Sequence, residues 1–387
     1  MPDSTTESGP PRRRRPRVSL RGLMGLILVL AAGLGSVVHL ARVQREAVAA
    51  IRATGGSVEY DYQRGPGGTT NPNARPPAPR RLVDQLGPDY FGHVVAAYLG
   101  PGATDATLEH VGRLRRLEVL SRGAAEPPRI TDAGIRHLAG LTELKGLNLD
   151  FAPITGAALA HLAGLKKLET LLLMRVPIRD ADLAAIAHLT TLQTLNLDRT
   201  GITDAGLVHL RGLESLQSLR LRDTKVTSAG FRQLPALPKL KALLLSRTGV
   251  ADLGALPEMP ALNYIELTGC PIDDADLAAL GRYPTLTELG LDLAPISDAG
   301  LAQLRRLPRL STLGLSGTPV TDAGLATLAT MPALTEISLG RTTVTDAGLA
   351  HLHALPALRT LWIKEASVTP AGLRALQQAQ PQLQIHP

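Results

Sequence analysis

Recurring aspartates are the first candidates for chemistry, because a carboxylate can act as a general acid or base or bind a metal ion. In the clearest copy, Thr203 directly precedes Asp204. This pair is typical of a helix start, where the hydroxyl caps the backbone and the helix dipole favours an anion. We therefore interpret as helix-start residues the aspartates at this recurrent place: Asp132, Asp180, Asp204, Asp274, Asp298, Asp322 and Asp346.

Histidines at one recurrent helical position could form a row of metal ligands: His110, His137, His161, His209 and His351. Neighbouring helices pack about 8–10 Å apart, whereas the ligands of one zinc ion lie within about 2.1 Å of it. We therefore predict a solvated helix edge and no metal site. The sequence also lacks G-x-S-x-G, H-E-x-x-H, P-loop and strand-to-helix G-x-G-x-x-G motifs, so we predict no enzymatic activity and no cofactor.

These side chains belong to a repeat close to 24 residues long. The unit from Leu192 reads LQTLNLDRTGITDAGLVHLRGLES, and its Ile or Val anchor recurs along the chain. Every interval between anchors is 24 residues, except for the 22 between Val250 and Ile272. Eleven units are therefore predicted, with anchors at Ile130, Ile154, Ile178, Ile202, Val226, Val250, Ile272, Ile296, Val320, Val344 and Val368.

Each unit changes its hydrophobic period once. The L-x-L step at Leu195 and Leu197 has the period of two of a strand, whereas Leu207, Leu210 and Leu213 have the period of a helix. Apolar residues make up 44% of the chain but aromatic residues only 3%, so we expect a core of aliphatic layers. The sequence predicts one short parallel strand and one helix in each unit.

The short interval predicts a local irregularity. Asp252, Leu253 and Gly254 replace the usual T-D-A-G-L helix start, while the strand step that contains Ile265 survives. We therefore predict a shortened helix over 252–258, a thinner outer edge with locally changed curvature, and an unbroken sheet of roughly twelve rungs.

Over residues 104–385 the repeat closely resembles the leucine-rich repeat. Its T-D-A-G-L helix start resembles the helical subclass of ribonuclease inhibitor and the F-box leucine-rich-repeat receptors, but no F-box-like segment lies upstream. The resemblance implies an α/β solenoid over residues 104–387, with a parallel β-sheet on its concave face and short helices on its convex face. The chain is similar overall to bacterial single-span membrane-anchored leucine-rich-repeat proteins of unknown role.

One slot departs from the family. The Asn of many members is Thr here, as at Thr200 and Thr224, which implies a differently made ladder of side-chain-to-backbone bonds. Cys270, the single cysteine, occupies the same slot. Because the slot points inward in the family, we expect a buried, unreactive thiol, and one cysteine cannot form a disulfide within a monomer.

The resemblance places on the concave face the residues inside and just after each L-x-L step. These residues differ in every unit, which would follow from binding and equally from a solvated face without constraint. Leu172 and Met174, beside Arg220 and Arg222, are the first choice for a protein contact, because Met and Arg are enriched at interfaces. Trp362 could anchor a partner or cover the last layers. The predicted protein-binding residues are Asn148, Asp150, Leu172, Met174, Asn196, Asp198, Arg220, Arg222, Glu266, Asp292 and Trp362.

An apolar segment precedes the repeats. Residues 22–41 carry no charge and are long enough to cross a hydrocarbon core of about 30 Å as a transmembrane helix. A cleaved signal peptide is the alternative, but its apolar region is usually only about 7–15 residues long. Six arginines before the span outnumber Arg42, Arg45 and Arg52 after it, which predicts a cytosolic N-terminus and an extracytoplasmic repeat domain.

The remaining segments follow from composition. Residues 1–21 are predicted to be a basic cytosolic tail, and residues 42–79 a juxtamembrane helix followed by a mobile Pro/Gly-rich spacer. We predict an N-terminal cap over residues 80–103, because the end layer of a solenoid would otherwise expose its leucines.

The charge distribution argues against nucleic-acid binding. The net charge is +7, but residues 1–100 hold 13 basic and 7 acidic side chains, and the rest of the chain is nearly balanced. A nucleic-acid surface needs basic residues clustered on the domain itself. The sequence favours a non-enzymatic, membrane-tethered module that presents its solenoid outside the cytosol to a protein partner. The alternative is a cytosolic-facing regulator or adaptor of inverted topology.

Overall fold

The computed structural model describes residues 20–65, 69–122 and 129–387, so most of the predicted basic tail lies outside the described residues. Its centre is one 14-stranded sheet whose strands lie side by side in chain order. The first two strands are antiparallel, and all later neighbours are parallel. The strands are β1 Ser57–Tyr60, β2 Val94–Leu99, β3 Val119–Arg122, β4 Gly146–Asn148, β5 Thr170–Leu172, β6 Thr194–Asn196, β7 Ser218–Arg220, β8 Ala242–Leu244, β9 Tyr264–Glu266, β10 Glu288–Gly290, β11 Thr312–Gly314, β12 Glu336–Ser338, β13 Thr360–Trp362 and β14 Gln384–His386.

A long helix precedes the sheet, and short helices connect its strands. The α-helices are α1 Leu20–Ala53, α2 Arg80–Leu86, α3 Asp105–Val111, α4 Asp132–Ile135, α5 Gly156–Leu159, α6 Asp204–Leu207, α7 Ser228–Phe231, α8 Asp298–Leu301, α9 Asp322–Leu328, α10 Asp346–Leu349 and α11 Pro370–Ala379. Short segments of 3-10 helix are Asp61–Gln63, Pro88–Tyr90, Arg136–Gly140, Ala160–Leu162, Asp180–Ala185, Val208–Leu210, Leu253–Ala255, Asp276–Arg282, Ala302–Arg306 and Ala350–Ala354.

One hydrophobic core runs through all the units. In the unit from Leu192, the strand residue Leu195, the next inward residue Leu197 and the helix residue Leu207 are completely buried. The threonine slot makes its bond within the unit: the Thr200 hydroxyl donates to the carbonyl oxygen of Leu197 at 2.6 Å. The predicted repeat and the predicted α/β solenoid are confirmed.

The recurring aspartates connect successive helix starts. The Thr203 hydroxyl accepts from the backbone N–H of Ala205 at 3.3 Å, as a capping residue should. The Asp180 carboxylate, one unit earlier, accepts from both the backbone N–H and the hydroxyl of Thr203, at 2.7 and 2.6 Å. We call this series the aspartate ladder; its pairs are Asp105–Thr131, Asp132–Thr155, Asp180–Thr203, Asp204–Thr227, Asp274–Ser297, Asp298–Thr321, Asp322–Thr345 and Asp346–Thr369.

The aspartate ladder is interrupted where a unit lacks its aspartate. In one unit Gly156 takes the place of the aspartate. The next helix begins after Arg179, whose backbone N–H instead donates to Asp182, three residues further on, at 2.8 Å. After the shortened unit, Asp273 donates to Asp276 in the same way, at 2.8 Å. Both Asp182 and Asp276 stand where other units have glycine, so the two kinds of helix start are alternative solutions to one capping requirement.

In the shortened unit, the predicted short helix and the predicted unbroken sheet are confirmed. Its helix is the three-residue turn Leu253–Ala255, and β9 pairs in register with both β8 and β10. The parallel part of the sheet, from β2 to β14, contains thirteen strands rather than twelve, because the chain adds β14 after the last unit.

The N-terminal helix has an exposed apolar stretch followed by a segment that packs against the solenoid. Over the described residues, α1 is the one helix long and apolar enough to cross a membrane, and residues 27–40 are all exposed. From Ala41 onward one face of α1 is buried, with Ala47 and Ile51 completely enclosed in the core cluster. The predicted spacer range also contains β1, which joins the sheet beside β2. Part of that range is therefore packed, because it supplies the apolar cover for the first layer.

Candidate functional site

The predicted binding residues lie on the side of the sheet that faces away from the helices. Side chains alternate along a strand. The middle residue of β4, Leu147, is buried in the core, so Asn148 points to the concave face. This face divides into three parts along the chain. They differ in how many of their side chains already form hydrogen bonds or ion pairs with one another.

In the first part, asparagine and aspartate join neighbouring strands. The Asn148 side-chain oxygen accepts from the N–H of Asp150 at 2.9 Å, and Asp150 accepts from the N–H of Met174 at 2.6 Å. Burial raises the pKa of Asp150, although the bond from Met174 opposes the shift. Leu172 and Met174 remain half exposed beside this pair. Asp150 is therefore held in place by the fold, and the apolar side chains next to it stay accessible.

The same asparagine–aspartate arrangement recurs two units later. Asn196 accepts from the N–H of Asp198 at 2.9 Å, and Asp198 accepts from the N–H of Arg222 at 2.8 Å. Asn196 and Asp198 are buried, and burial raises the pKa of Asp198. The Arg220 guanidinium is half exposed and makes no hydrogen bond or ion pair within the described residues.

The central part is filled by its own side chains. Arg222 forms an ion pair with Glu266, which also accepts from the hydroxyls of Ser246, at 2.7 Å, and Tyr264, at 3.1 Å. Because Arg222 follows β7 and Glu266 lies on β9, the pair spans the intervening strand β8. Leu244 on β8 is consequently buried, although it faces the concave side. Burial, and then the charge of Glu266, raise the pKa of Tyr264 to about 12. We call Arg222, Ser246, Tyr264 and Glu266 the central network.

The last part is a shallow trough floored by small residues: Gly290, Gly314, Ser316, Ser338 and Gly340. Asp292 borders it and accepts from the N–H of Ser316 at 2.6 Å, and burial raises the pKa of Asp292. Trp362 closes the far end, where its ring stacks on His386 at 4.0 Å and its N–H donates to Glu336 at 2.8 Å. The ring is still 45% exposed, so one face is available to a partner.

A row of strained residues lies beside the concave face, and sequence reasoning missed it. Among the described residues, eight non-glycine residues have positive φ, and each stands three positions before the Ile or Val anchor of its unit: Phe151, Arg175, Arg199, Asp223, Arg247, Leu293, Arg341 and Glu365. In the middle of the row, Asp223 pairs with Arg199 at 3.0 Å and with Arg247 at 2.5 Å. The hydrogen bonds from Arg247 lower the pKa of Asp223 to about 2. The signal that could have revealed the row is the glycine that holds the slot in two units, Gly269 and Gly317.

The other candidates occupy structural positions. Cys270 is buried as predicted, its thiol donates to the carbonyl oxygen of Leu245 at 3.1 Å, and burial raises its pKa. Each histidine of the recurrent row lies on a different unit; His161 and His351 are exposed and the others half buried. Over residues 20–65, 69–122 and 129–387 no three His, Cys, Asp or Glu side chains are grouped to hold a metal ion.

Comparisons with known proteins identify the repeat and the fold. The family model described as Leucine Rich repeat matches residues 188–210, about one unit. An internalin from Listeria monocytogenes is similar with a TM-score of 0.51 and 21% identity, over 65% of this chain and 77% of that one. A leucine-rich-repeat protein of Leptospira interrogans gives 0.47 and 18%, over 72% and 80%. The plant peptide hormone receptor RGFR1 in complex with RGF2 gives 0.44 and 15%, over 72% and 52%. No curated protein matches the chain in sequence.

Proposed function

We propose that this chain, whose repeat and fold are those of a leucine-rich-repeat protein, is a non-enzymatic, membrane-tethered module that binds a protein partner on its concave face outside the cytosol. The observation that carries the proposal is the uncovered sheet. Parallel sheets are normally covered on both faces. Here the helices cover one face, and in the described part of the chain no other element packs over the concave side of β4–β13.

The two ends of the concave face suit a partner better than its centre. The central network already pairs its charges, so a partner would have to displace those bonds. Leu172 and Met174 at one end and Trp362 at the other leave apolar surface exposed. Aromatic residues and Met are enriched where proteins meet, and Trp is frequent among the residues that dominate binding energy. We therefore place the main contacts on these two ends.

The tether rests on the N-terminal helix. The exposed apolar stretch of α1 suits a hydrocarbon environment, and the arginines that precede it favour a cytosolic N-terminus. A reporter enzyme that works only outside the cytosol, fused after Pro387, tests the orientation. Activity of the fusion supports the proposed topology. A stable but inactive fusion would establish the inverted arrangement of a cytosolic regulator.

Site-specific photo-cross-linking tests the binding face. A photoreactive residue at position 172 or 362 should give a discrete adduct with a protein partner in intact cells. The same residue at His161 or Arg305, which are exposed on the convex side, should not. Adducts that form mainly from the convex positions would refute the concave site while leaving an interaction role intact. Absence of adducts from every position would count against binding itself.

A further inference from the structure

A cavity of about 370 Å³ lies where α1 meets the first layers of the solenoid. One wall is apolar and belongs to α1, with Val37, Leu40 and Val43. A second part of the lining, the arginine wall, comes from the loop after α3 and contains Arg113, Arg115 and Arg116. The cavity therefore combines a hydrocarbon surface with a cationic surface a few residues from the end of the apolar stretch.

The position of the cavity along α1 matches a membrane boundary. Val37 and Leu40 are 48% and 59% exposed, and they lie within the predicted span that ends at residue 41. At about 1.5 Å per residue, Val37 is roughly 6 Å below that end. Residues 27–40 of α1 are exposed, and from Ala41 onward one face of the helix is packed against the cap. The arginine wall thus stands at the level where lipid headgroups begin.

The charges in this region are unevenly compensated. Arg42 pairs with Glu46 at 3.0 Å, and Arg113 pairs with Glu109 at 2.8 Å. Arg115 donates only to a backbone carbonyl, that of Gly140, at 2.8 Å. Within the described residues neither Arg115 nor Arg116 has a carboxylate partner. Both side chains are exposed, so their positive charge is available to an anion.

Asp89 and His93 also line the cavity. The Asp89 carboxylate already accepts from the Tyr60 hydroxyl at 2.9 Å and from the Gln44 amide at 3.2 Å. Burial, and secondarily the positive charge of Arg116, lower the pKa of His93. This shift disfavours the charged imidazole, and the arginines supply the positive charge of this wall. Guanidinium groups form paired hydrogen bonds with phosphate oxygens as they do with carboxylates, and the phosphate of a lipid headgroup is the one of these anions that comes with an acyl chain for the apolar wall.

We propose that this cavity binds an anionic phospholipid, with its phosphate between Arg115 and Arg116 and an acyl chain along Val37 and Leu40. The apolar wall distinguishes this ligand from a soluble phosphate, which would leave the exposed surface of α1 uncovered. The inference rests on the membrane tether of the proposed function, but it depends neither on the orientation of α1 nor on a concave-face partner. Its consequence is that the lipid would fill the junction between anchor and solenoid.

Lipid binding by the full chain in nanodiscs tests this proposal. Spin-labelled phosphatidylglycerol should be retained next to the protein in preference to spin-labelled phosphatidylcholine. Arg115→Gln with Arg116→Gln should reduce the preference by about fivefold for each arginine neutralised. The matched control is Arg305→Gln with Arg306→Gln, an exposed arginine pair at a helix end far along the solenoid, which should leave the preference unchanged. Melting curves of both double variants verify that the solenoid is folded.

The possible outcomes distinguish a failure of the proposed lipid site from a failure of the proposed membrane tether. Equal retention of the two lipids by a chain that resists alkaline extraction from membranes would overturn the lipid site alone. An equal loss of preference in the control variant would also overturn it, because the effect would then be general electrostatics. A chain that alkaline treatment releases would overturn the tether, and the lipid site with it.

Discussion

At the scale of the residue, the aspartate of each helix start stabilises two units at once. Asp298 begins α8 and also accepts from the N–H and the hydroxyl of Thr321, at 2.8 and 2.6 Å. The glycine of the next unit makes room for it, because a Cβ at Gly324 would lie 2.3 Å from the Asp298 carboxylate. Asp and Gly therefore recur together, although Ala158 shows that the slot can adapt to one methyl group.

Removing one such carboxylate should weaken the solenoid measurably. Asp298→Ala leaves two donors of Thr321 without their acceptor, and we expect a loss of about 1–3 kcal/mol in the free energy of unfolding. Urea unfolding of the full chain in detergent, followed by circular dichroism, measures the loss. Glu288→Ala removes an exposed carboxylate that makes no hydrogen bond within the described residues, and it serves as the control. Equal stability of the two variants would contradict the structural role of the ladder.

A second residue-scale prediction concerns Asp223. Its folded pKa of about 2 is lower than the ordinary value of 3.8, chiefly because Arg247 donates to it. The carboxylate therefore contributes stability above pH 3.8, and this contribution is lost as the pH falls towards 2. A carbon-detected NMR titration should find Asp223 half protonated near pH 2, and Arg247→Ala should move that midpoint up. A midpoint near 3.8 in the unchanged chain would contradict the pairing.

At the scale of the element, the sequence contained enough to place strands and helices but not their contacts. The period of 24 located the strand steps of β4 to β13, and the interval of 22 located the shortened helix at Leu253–Ala255. The exchange of caps at Asp182 and Asp276 was not predicted. A carboxylate in the glycine slot can be recognised as a helix cap only when the preceding unit is seen to lack the aspartate that would otherwise accept from that helix start.

This exchange can be tested by a pair of substitutions. A Cβ at Gly156 would lie 1.8 Å from the Asp182 carboxylate, so Gly156→Asp alone should destabilise the solenoid through steric and charge repulsion. Combined with Asp182→Gly, it should recover much of that loss, because the introduced carboxylate can accept from the N–H of Arg179. A double-mutant cycle on the free energy of unfolding should give a favourable coupling of about 0.5–3 kcal/mol. Additive losses would contradict the alternative-cap account.

At the scale of the whole molecule, α1 runs without a break from its exposed apolar stretch into the first layers of the solenoid. The sequence predicts a helix over residues 42–54, but the burial of this helix against the first layer depends on contacts distant in sequence. The Gln44 side chain, for example, bonds to the carbonyl oxygen of Gly92 at 2.9 Å. On the concave face too, contacts between residues distant in sequence could not be predicted. Its location followed from the repeat, whereas the Arg222–Glu266 pair that fills its centre joins residues 44 positions apart.

The most direct test of the proposed function is the affinity of the cross-linked partner for concave-face variants. Ser338→Trp would place a large side chain on the floor of the trough, and Leu172→Ala would remove apolar surface at the other end, without entering the core. Each should weaken binding by roughly tenfold or more if these ends hold dominant contacts. His161→Ala on the convex side should leave Kd unchanged. An unchanged Kd in both concave variants, with their melting temperatures preserved, would contradict the proposal that this protein binds its partner through the concave face.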